Sequence, residues 1–470
     1  MPLFENLNKY KENIALIFPN NQKVSYTELD REVYSFGKHL KENALLLIVT
    51  KTSFEPIIGY ISSLNNKTTV MFADIKAGKK EIDDIISRYN PDFVFAPSDW
   101  FNDRNHLGNN DFFEYHGYKL LTRRINRKHR INSLISVLLP TSGSLGSNKY
   151  VRISQDNIEN NANSIINYLR ITEYDRAITT MPIGYSFMIS ILNSHLHAGA
   201  SIVICPYSIL EKEFWHRAQL HGITSLSGVP VFFQMLIRLG LEKMSIPSLR
   251  QITQAGGKLS DTLTEKMINF CRSQQIEFIS MYGQTEASPR ISYLDWEVAE
   301  TKIGSIGKAI PGVKIWLEFP NGDEIITPDT EGEIVVSGKN ICLGYAESEA
   351  DLIRGDDNNG VIKTGDIGRR DSDGFYYITG RLKRIAKIDG FRINLDDIEQ
   401  KMKAVGLNIA CIERENKIQV FFENALEPRV VMDMLQTNTG QKRTVFKCIQ
   451  VSALPLTSNN KINYKKLTEI

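Results

Sequence analysis

Three short stretches of this chain hold residue types suited to phosphate, metal and sugar. The first is Thr141-Ser142-Gly143-Ser144-Leu145-Gly146-Ser147-Asn148-Lys149, which follows at once on an apolar run, 134–139. Glycines let a backbone approach a phosphate and turn its N–H groups inward. Hydroxyls add donors, and Lys149 adds a point charge. The spacing Gly143-x-x-Gly146-x-x-Lys149 excludes the Walker P-loop, which sets four residues between its glycines and a lysine directly after the second. A Ser/Gly surface loop without a ligand is the alternative. The second stretch is Met281-Tyr282-Gly283-Gln284-Thr285-Glu286. A carboxylate beside a hydroxyl can hold Mg2+ against a triphosphate, because hard cations take oxygen ligands; an ordinary turn is the alternative. The third is Thr364-Gly365-Asp366. A fixed aspartate can accept both hydroxyls of a ribose; the alternative is a surface-loop aspartate.

Other motifs surround these three in a definite order. Gln254-Ala255-Gly256-Gly257 comes before the second stretch. Gly304-Ser305-Ile306-Gly307, Pro311-Gly312, Gly332-Glu333-Ile334 and Gly344-Tyr345 lie between the second and the third. Gly380-Arg381-Leu382-Lys383-Arg384, Lys387-Ile388-Asp389-Gly390 and finally Pro455 with Lys461 come after the third. This series resembles the motifs of the adenylate-forming (AMP-binding) superfamily, which groups acyl-CoA synthetases, peptide-synthetase adenylation domains and luciferases. The likeness extends from Thr141 to Lys461.

The resemblance implies a role for each matched residue. Thr141, Ser142, Gly143, Ser144, Gly146 and Lys149 would wrap the phosphates of ATP. Glu286 would hold Mg2+, Thr285 would meet the α-phosphate, and Tyr282 with Gly283 would lie by the adenine. Gly256 and Gly257 would line the adenine and acyl pocket. Asp366 and Arg381 would take the ribose. Lys461 would bridge the substrate carboxylate and the α-phosphate. Lys383 occupies the hinge position, and the Gly390 loop would face the active site in a second half-reaction. Gly304–Gly307, Gly332–Ile334 and Gly344–Tyr345 read as scaffold. Ser280 stands where the family often places an adenine-reading amide. Asp356-Asp357-Asn358-Asn359-Gly360 lacks the alternating ligands and closing glutamate of a calcium loop and reads as a turn.

These residues need elements to hold them. Short apolar runs at 44–49, 69–72, 93–96, 134–139, 177–181 and 201–205 predict buried strands. Amphipathic stretches at 81–89 and 156–169 predict helices between them. Such alternation implies an α/β fold, with helix-covered parallel sheets. From 304 to 381, glycines punctuate the β-rich pieces 314–319, 332–337, 361–364 and 375–378, which predict a small barrel-like subdomain. A small α+β segment follows, with a helix at 395–404, a strand at 418–422 and a helical turn at 431–435. The expected division is a large domain, 1–380, and a small mobile lid, 381–470.

Composition narrows the function classes. With 56 basic against 54 acidic residues the charge is nearly balanced, which argues against a nucleic-acid protein. The basic run 123–130 reads as a solvated loop or as a docking patch for an anionic partner. The cysteines Cys205, Cys271, Cys342, Cys411 and Cys448 are scattered, as expected of reduced thiols in a cytoplasmic protein. The start of the chain lacks the apolar core of a signal peptide, and no apolar run is long enough to span a bilayer. His195 and His197 lie two apart on an expected helix, do not share a face and read as structural.

The acyl pocket is expected around Tyr185 and Ser186, with Gly256. Neither an aspartate for an α-ammonium nor the family's frequent histidine stands there, and a buried ammonium without a partner is costly. The expected activity is ATP-dependent, Mg2+-assisted conversion of a small carboxylic acid to an acyl-adenylate, then transfer to a thiol. Coenzyme A is the expected acceptor, and a phosphopantetheinyl acyl carrier protein is the alternative. A non-catalytic homologue is a third reading, opposed by the presence of Glu286, Asp366 and Lys461.

Overall fold

The computed structural model describes residues 3–4, 7–102, 111–125, 130–140, 149–240, 246–388, 391–423, 426–456 and 462–470. Contacts divide the chain into two compact units, Met1–Ile315 with Ser337–Ile362, and Trp316–Val336 with Lys363–Ile470.

The first unit is built on two large sheets. In one, the parallel strands Ile14–Ile17, Ser201–Val203, Arg176–Ile178, Ser225–Gly228, Gln251–Gln254 and Glu277–Tyr282 lie side by side in that order. Antiparallel strands flank them, Lys23–Ser25 at one edge and Ser292–Leu294 at the other. In the second sheet, Val137–Pro140, Thr69–Asp74, Leu45–Thr50 and Phe93–Pro97 form a parallel centre. Tyr150–Ile153 and Gly344–Ala346 extend it on one side, and a hairpin of Phe112–Tyr115 and Tyr118–Thr122 on the other.

Both faces of the second sheet are covered, which accounts for its unbroken apolar strands. Side chains alternate along a strand. Leu46 and Ile48 therefore face one way, into a core shared with Leu16 and Ile202 of the first sheet and with the helices Tyr26–Gly37, Glu55–Asn65, Gln155–Leu169 and Ser186–His197. Leu45, Leu47 and Val49 face the other way, onto Ile82, Ile85, Ile86 and Tyr89 of the helix Lys79–Tyr89. Each such side chain contributes about 1.5–3 kcal/mol on burial. The Gln155–Leu169 helix starts where Ser154 and Asn157 cap each other reciprocally.

The 156–169 and 81–89 helices and the strands at 44–49, 69–72 and 93–96 form within a few residues of expectation. The strand expected at 134–139 begins only at Val137, because Asn132 turns the chain by accepting from the Leu134 N–H and leaves Leu134 half-exposed. The β-rich region is an open four-stranded sheet in the order Val313–Glu318, Gly332–Gly338, Val361–Arg370, Tyr376–Arg381; among the described residues its outer strands do not pair to close a barrel.

In the second unit, Ile409–Arg414, Lys417–Glu423 and Phe446–Val451 form a three-stranded sheet. The helices Leu395–Ala404 and Pro428–Thr439 pack on it through Ile398, Met402, Val431 and Leu435. The helical turn expected at 431–435 thus extends to three turns.

Candidate active site

The end of the first expected phosphate stretch is fixed by the sheet. Pro140 and Tyr150, the strand residues on either side of this stretch, pair across antiparallel strands. Thr141, Ser142, Gly143, Ser144 and Gly146 themselves lie outside the described residues. Lys149 is described, and its ammonium sits 3.4 Å from the centre of the Tyr345 ring, a cation–π contact. The Tyr345 hydroxyl donates to Glu286 Oε1 at 2.8 Å. Burial first, then the Glu286 carboxylate, push the Tyr345 phenol well above its ordinary pKa, so it stays a donor.

Glu286 and Thr285 occupy a single 3-10 turn, Thr285–Ala287, directly after the Glu277–Tyr282 strand. The turn is held twice. Cys342 N–H donates to the Glu286 carbonyl at 2.9 Å, and Thr285 Oγ1 donates to Ser186 Oγ at 3.2 Å. Gly283 makes the corner possible, because a Cβ there would collide with the Pro289 carbonyl oxygen. Gly256 has φ +83°, a conformation that suits glycine. A Cβ on it would come within 3.0 Å of the Tyr185 hydroxyl. Gln254 steadies this turn: its amide donates to the Gly257 carbonyl at 2.7 Å and accepts from Ser280 Oγ at 3.0 Å.

Within the first unit the fold therefore brings together Lys149, Glu286, Thr285, Ser186, Tyr185 and Gly256, with Tyr282, Gly283 and Gly257 on the turns that carry them. In the second unit, Asp366 and Arg381 are cross-strand partners. Arg381 Nε donates to Asp366 Oδ1 at 2.8 Å; the aspartate is buried and the arginine two-thirds exposed. Lys383 lies in the 3-10 turn Leu382–Arg384. Gly390 and Lys461 lie outside the described residues.

Two residues at this site were not among the sequence candidates. Tyr345 was read as scaffold, yet it joins Lys149 to Glu286. Nothing in its local sequence signals this, since the contact depends on the pairing of Gly344–Ala346 with Tyr150–Ile153. Arg290, four residues after Glu286, is buried beside Phe187. Other expectations meet plain structural outcomes. Asp356 accepts from the N–H groups of Asn358 and Asn359 as a turn, and Asp357 pairs with the buried Arg152. His195 is buried between the Ile191 carbonyl and Ser225 Oγ, and burial lowers its pKa to about 4, so it stays neutral. In the basic run, Arg123 is tied to Asn90 and to the Pro91 carbonyl; 126–129 lie outside the described residues. All five cysteines are free thiols.

A family model described as "AMP-binding enzyme" matches residues 3–346. The chain belongs to the AMP-binding enzyme family. Among curated members, an indoleacetate–CoA ligase of Aromatoleum aromaticum is 29% identical over 267 residues, 55% of this chain and 50% of that protein. A 2-succinylbenzoate–CoA ligase of Bacillus cereus is 31% identical over 265 residues, 56% of this chain and 53% of that one. The chain thus spans about half the length of the curated relatives it matches. The O-succinylbenzoate coenzyme A synthetase of Bacillus subtilis, in complex with ATP and magnesium ion, superposes with TM-score 0.79 at 21% identity over 99% of each chain. ATP-bound MatB from Rhodopseudomonas palustris gives 0.80 at 20% identity, over 100% of this chain and 98% of that one. At such identities these two establish the AMP-binding fold. Among the described residues, no helix is long and apolar enough to cross a membrane.

Proposed function

We propose that this AMP-binding enzyme uses ATP to turn a carboxylic acid into an acyl-adenylate, releasing pyrophosphate, and then passes the acyl group to coenzyme A. The observation that carries the reading is the line Lys149–Tyr345–Glu286 beside Thr285. It sets a cation, a fixed carboxylate and a hydroxyl at the exit of the 141–148 segment. The names of the curated relatives, both CoA ligases, support the choice of acceptor.

Joining a carboxylate to a phosphate sets two anions against each other, so the catalyst must position them and offset charge as it builds. In this reading Lys149 and the 141–148 backbone hold the departing pyrophosphate. Thr285 donates to an α-phosphate oxygen, and Asp366 with Arg381 takes the ribose. Lys461 brings an ammonium to the carboxylate and the α-phosphate together. Glu286 fits a magnesium ion. Mg2+ keeps most of its waters and takes one or two protein carboxylates alongside substrate phosphates. A single half-buried carboxylate oriented by a phenol meets that need, and no cluster of three metal-binding side chains occurs among the described residues. When bound, the ion would neutralise phosphate charge. Residues 381–470 act as a lid that turns about Lys383 for the thiol step and brings the Gly390 loop to the adenylate.

Carboxylate-dependent ATP–pyrophosphate exchange over small, fatty, aryl and amino acids tests the reading. One acid class should support exchange, and Lys461→Ala should reduce it by about 100- to 1,000-fold without changing the melting temperature. A folded chain that exchanges with no acid overturns the proposal.

A further inference from the structure

We propose that Arg152 is a positioning residue for the carboxylate assigned to magnesium: it fixes the strand that carries Tyr345, and Tyr345 in turn orients Glu286. This rests on the placing of magnesium at Glu286 made above and adds the residue on which that geometry depends.

Arg152 belongs to the strand Tyr150–Ile153, just after Lys149, and is fully buried. A guanidinium has five N–H donors and keeps its charge. All five are used here, on one stretch of chain. Nε donates to the Tyr345 carbonyl at 3.0 Å. One terminal nitrogen donates to the Arg354 and Gly355 carbonyls at 2.6 and 2.9 Å. The other donates to the Leu343 carbonyl at 3.1 Å and to the Asp357 carboxylate. Residues 343–357 therefore wrap around a single side chain, with Asp357 as its counter-ion. Taking a charge out of water is costly, and these partners offset the cost together. A placement of 343–357 that lost the carbonyls would leave buried donors unmet.

That placement decides the register of Tyr345. Gly344, Tyr345 and Ala346 pair with Arg152, Val151 and Tyr150 across antiparallel strands. Side chains alternate along a strand, so a slip of one residue would turn the Tyr345 ring to the other face of the sheet. In the observed register the ring lies under Lys149 and its hydroxyl donates to Glu286. The Cys342 N–H, on the same segment, holds the Glu286 carbonyl. The carboxylate is thus tied through residues 342–345 to one buried guanidinium.

Gly344 makes room for this arrangement. Its φ is +121°, and a Cβ there would come within 2.8 Å of a terminal nitrogen of Arg152 and 2.7 Å of the Asp357 carboxylate. The glycine read from sequence as scaffold is therefore where the guanidinium passes. A lysine could not take the place of Arg152, because an ammonium has three donors and no planar fork to meet carbonyls on two sides.

The test measures ATP binding by calorimetry with no acid present, once in excess magnesium and once in chelator; the readout is how far magnesium tightens ATP. Arg152→Lys should cut that tightening about tenfold and leave the affinity in chelator within about threefold. Tyr345→Phe should do the same, and the double variant should lose no more than either alone, because both act through one hydroxyl. Losses that multiply to about a hundredfold in the double variant, equal weakening with and without magnesium, or unchanged tightening in a folded Arg152→Lys protein overturn the proposal. If the lysine variant does not fold, Asp357→Asn replaces it, since it spares the carbonyl contacts. It should cost about threefold in tightening and nothing further in the Tyr345→Phe background; no loss, or the same loss in both backgrounds, overturns the proposal. If no acid supports exchange, the adenylation reading fails on its own, and the binding comparison still decides the role of Arg152. A wild type whose ATP binding magnesium does not tighten overturns the assignment of Glu286 and this proposal with it.

Discussion

The corner at Tyr282–Arg290 and the hairpin that pairs Asp366 with Arg381 both carry expected ATP contacts, but they are built in opposite ways. The corner is assembled from afar. Its carboxylate is oriented by Tyr345, its carbonyl is held by Cys342, its threonine touches Ser186, and Tyr345 in turn lies under Lys149. The hairpin is local. Asp366 and Arg381 face each other across neighbouring strands, fifteen residues apart in sequence, and one partner is largely in water. A group fixed by several remote segments keeps its geometry only if all of them fold, whereas a cross-strand pair needs one turn and two strands. Substitutions that displace the corner's backbone should therefore disturb structure and activity together, and those in the hairpin should separate the two.

Gly283→Ala presses hardest on this contrast. The added Cβ meets a backbone oxygen, that of Pro289, which cannot swing aside as a side chain would. Overpacking of this kind costs about 3 kcal/mol or more when backbone must move. Exchange activity should fall by at least about a thousandfold, with a clear drop in melting temperature. An alanine variant with wild-type melting and exchange would show that the corner is not the rigid unit described here.

What the sequence made legible follows the same division. Asp366 and Arg381 could be named because each lies in a short motif that resembles the family's, and the structure then places them on one hairpin. The helices at Lys79–Tyr89, Gln155–Leu169 and Leu395–Ala404 could be placed because amphipathic spacing is a local signal. Thr285 and Glu286 were also readable, as a motif, but what orients them was not. Tyr345 lies some sixty residues on, and only the pairing of its strand beside Tyr150–Ile153 brings it back. Arg290 was missed for a related reason. Its surroundings come from far upstream: Tyr168 on the Gln155–Leu169 helix, and Tyr185 and Phe187 at the start of the Ser186–His197 helix. The four-stranded sheet was legible as a β-rich, barrel-like subdomain, because glycine punctuation marks its turns.

Tyr345→Phe sharpens the comparison by removing one oxygen. The ring remains under Lys149, so the cation–π contact and the packing survive, and stability should change by no more than about 1 kcal/mol. The Glu286 carboxylate loses the donor that orients it. Groups that orient metal ligands typically matter by 10–100-fold, so the magnesium concentration needed for half-maximal exchange should rise about tenfold. An unchanged magnesium requirement would separate Tyr345 from Glu286 function and leave it as packing alone.

Arg381→Ala makes the smallest change and tests the hairpin side of the contrast. The arginine side chain is 67% exposed, so its ion pair is screened by water and contributes at most about 1 kcal/mol to stability. The variant should melt near the wild type. If the exposed guanidinium serves the ribose, the KM for ATP should still rise by roughly three- to tenfold, with kcat nearly unchanged because the contact lies away from the reacting phosphorus. Loss of binding without loss of stability is the signature of a local contact. A melting temperature that fell as far as that of Gly283→Ala would mean that the Asp366–Arg381 pair supports the fold as strongly as the corner does, and the distinction between the two regions would collapse.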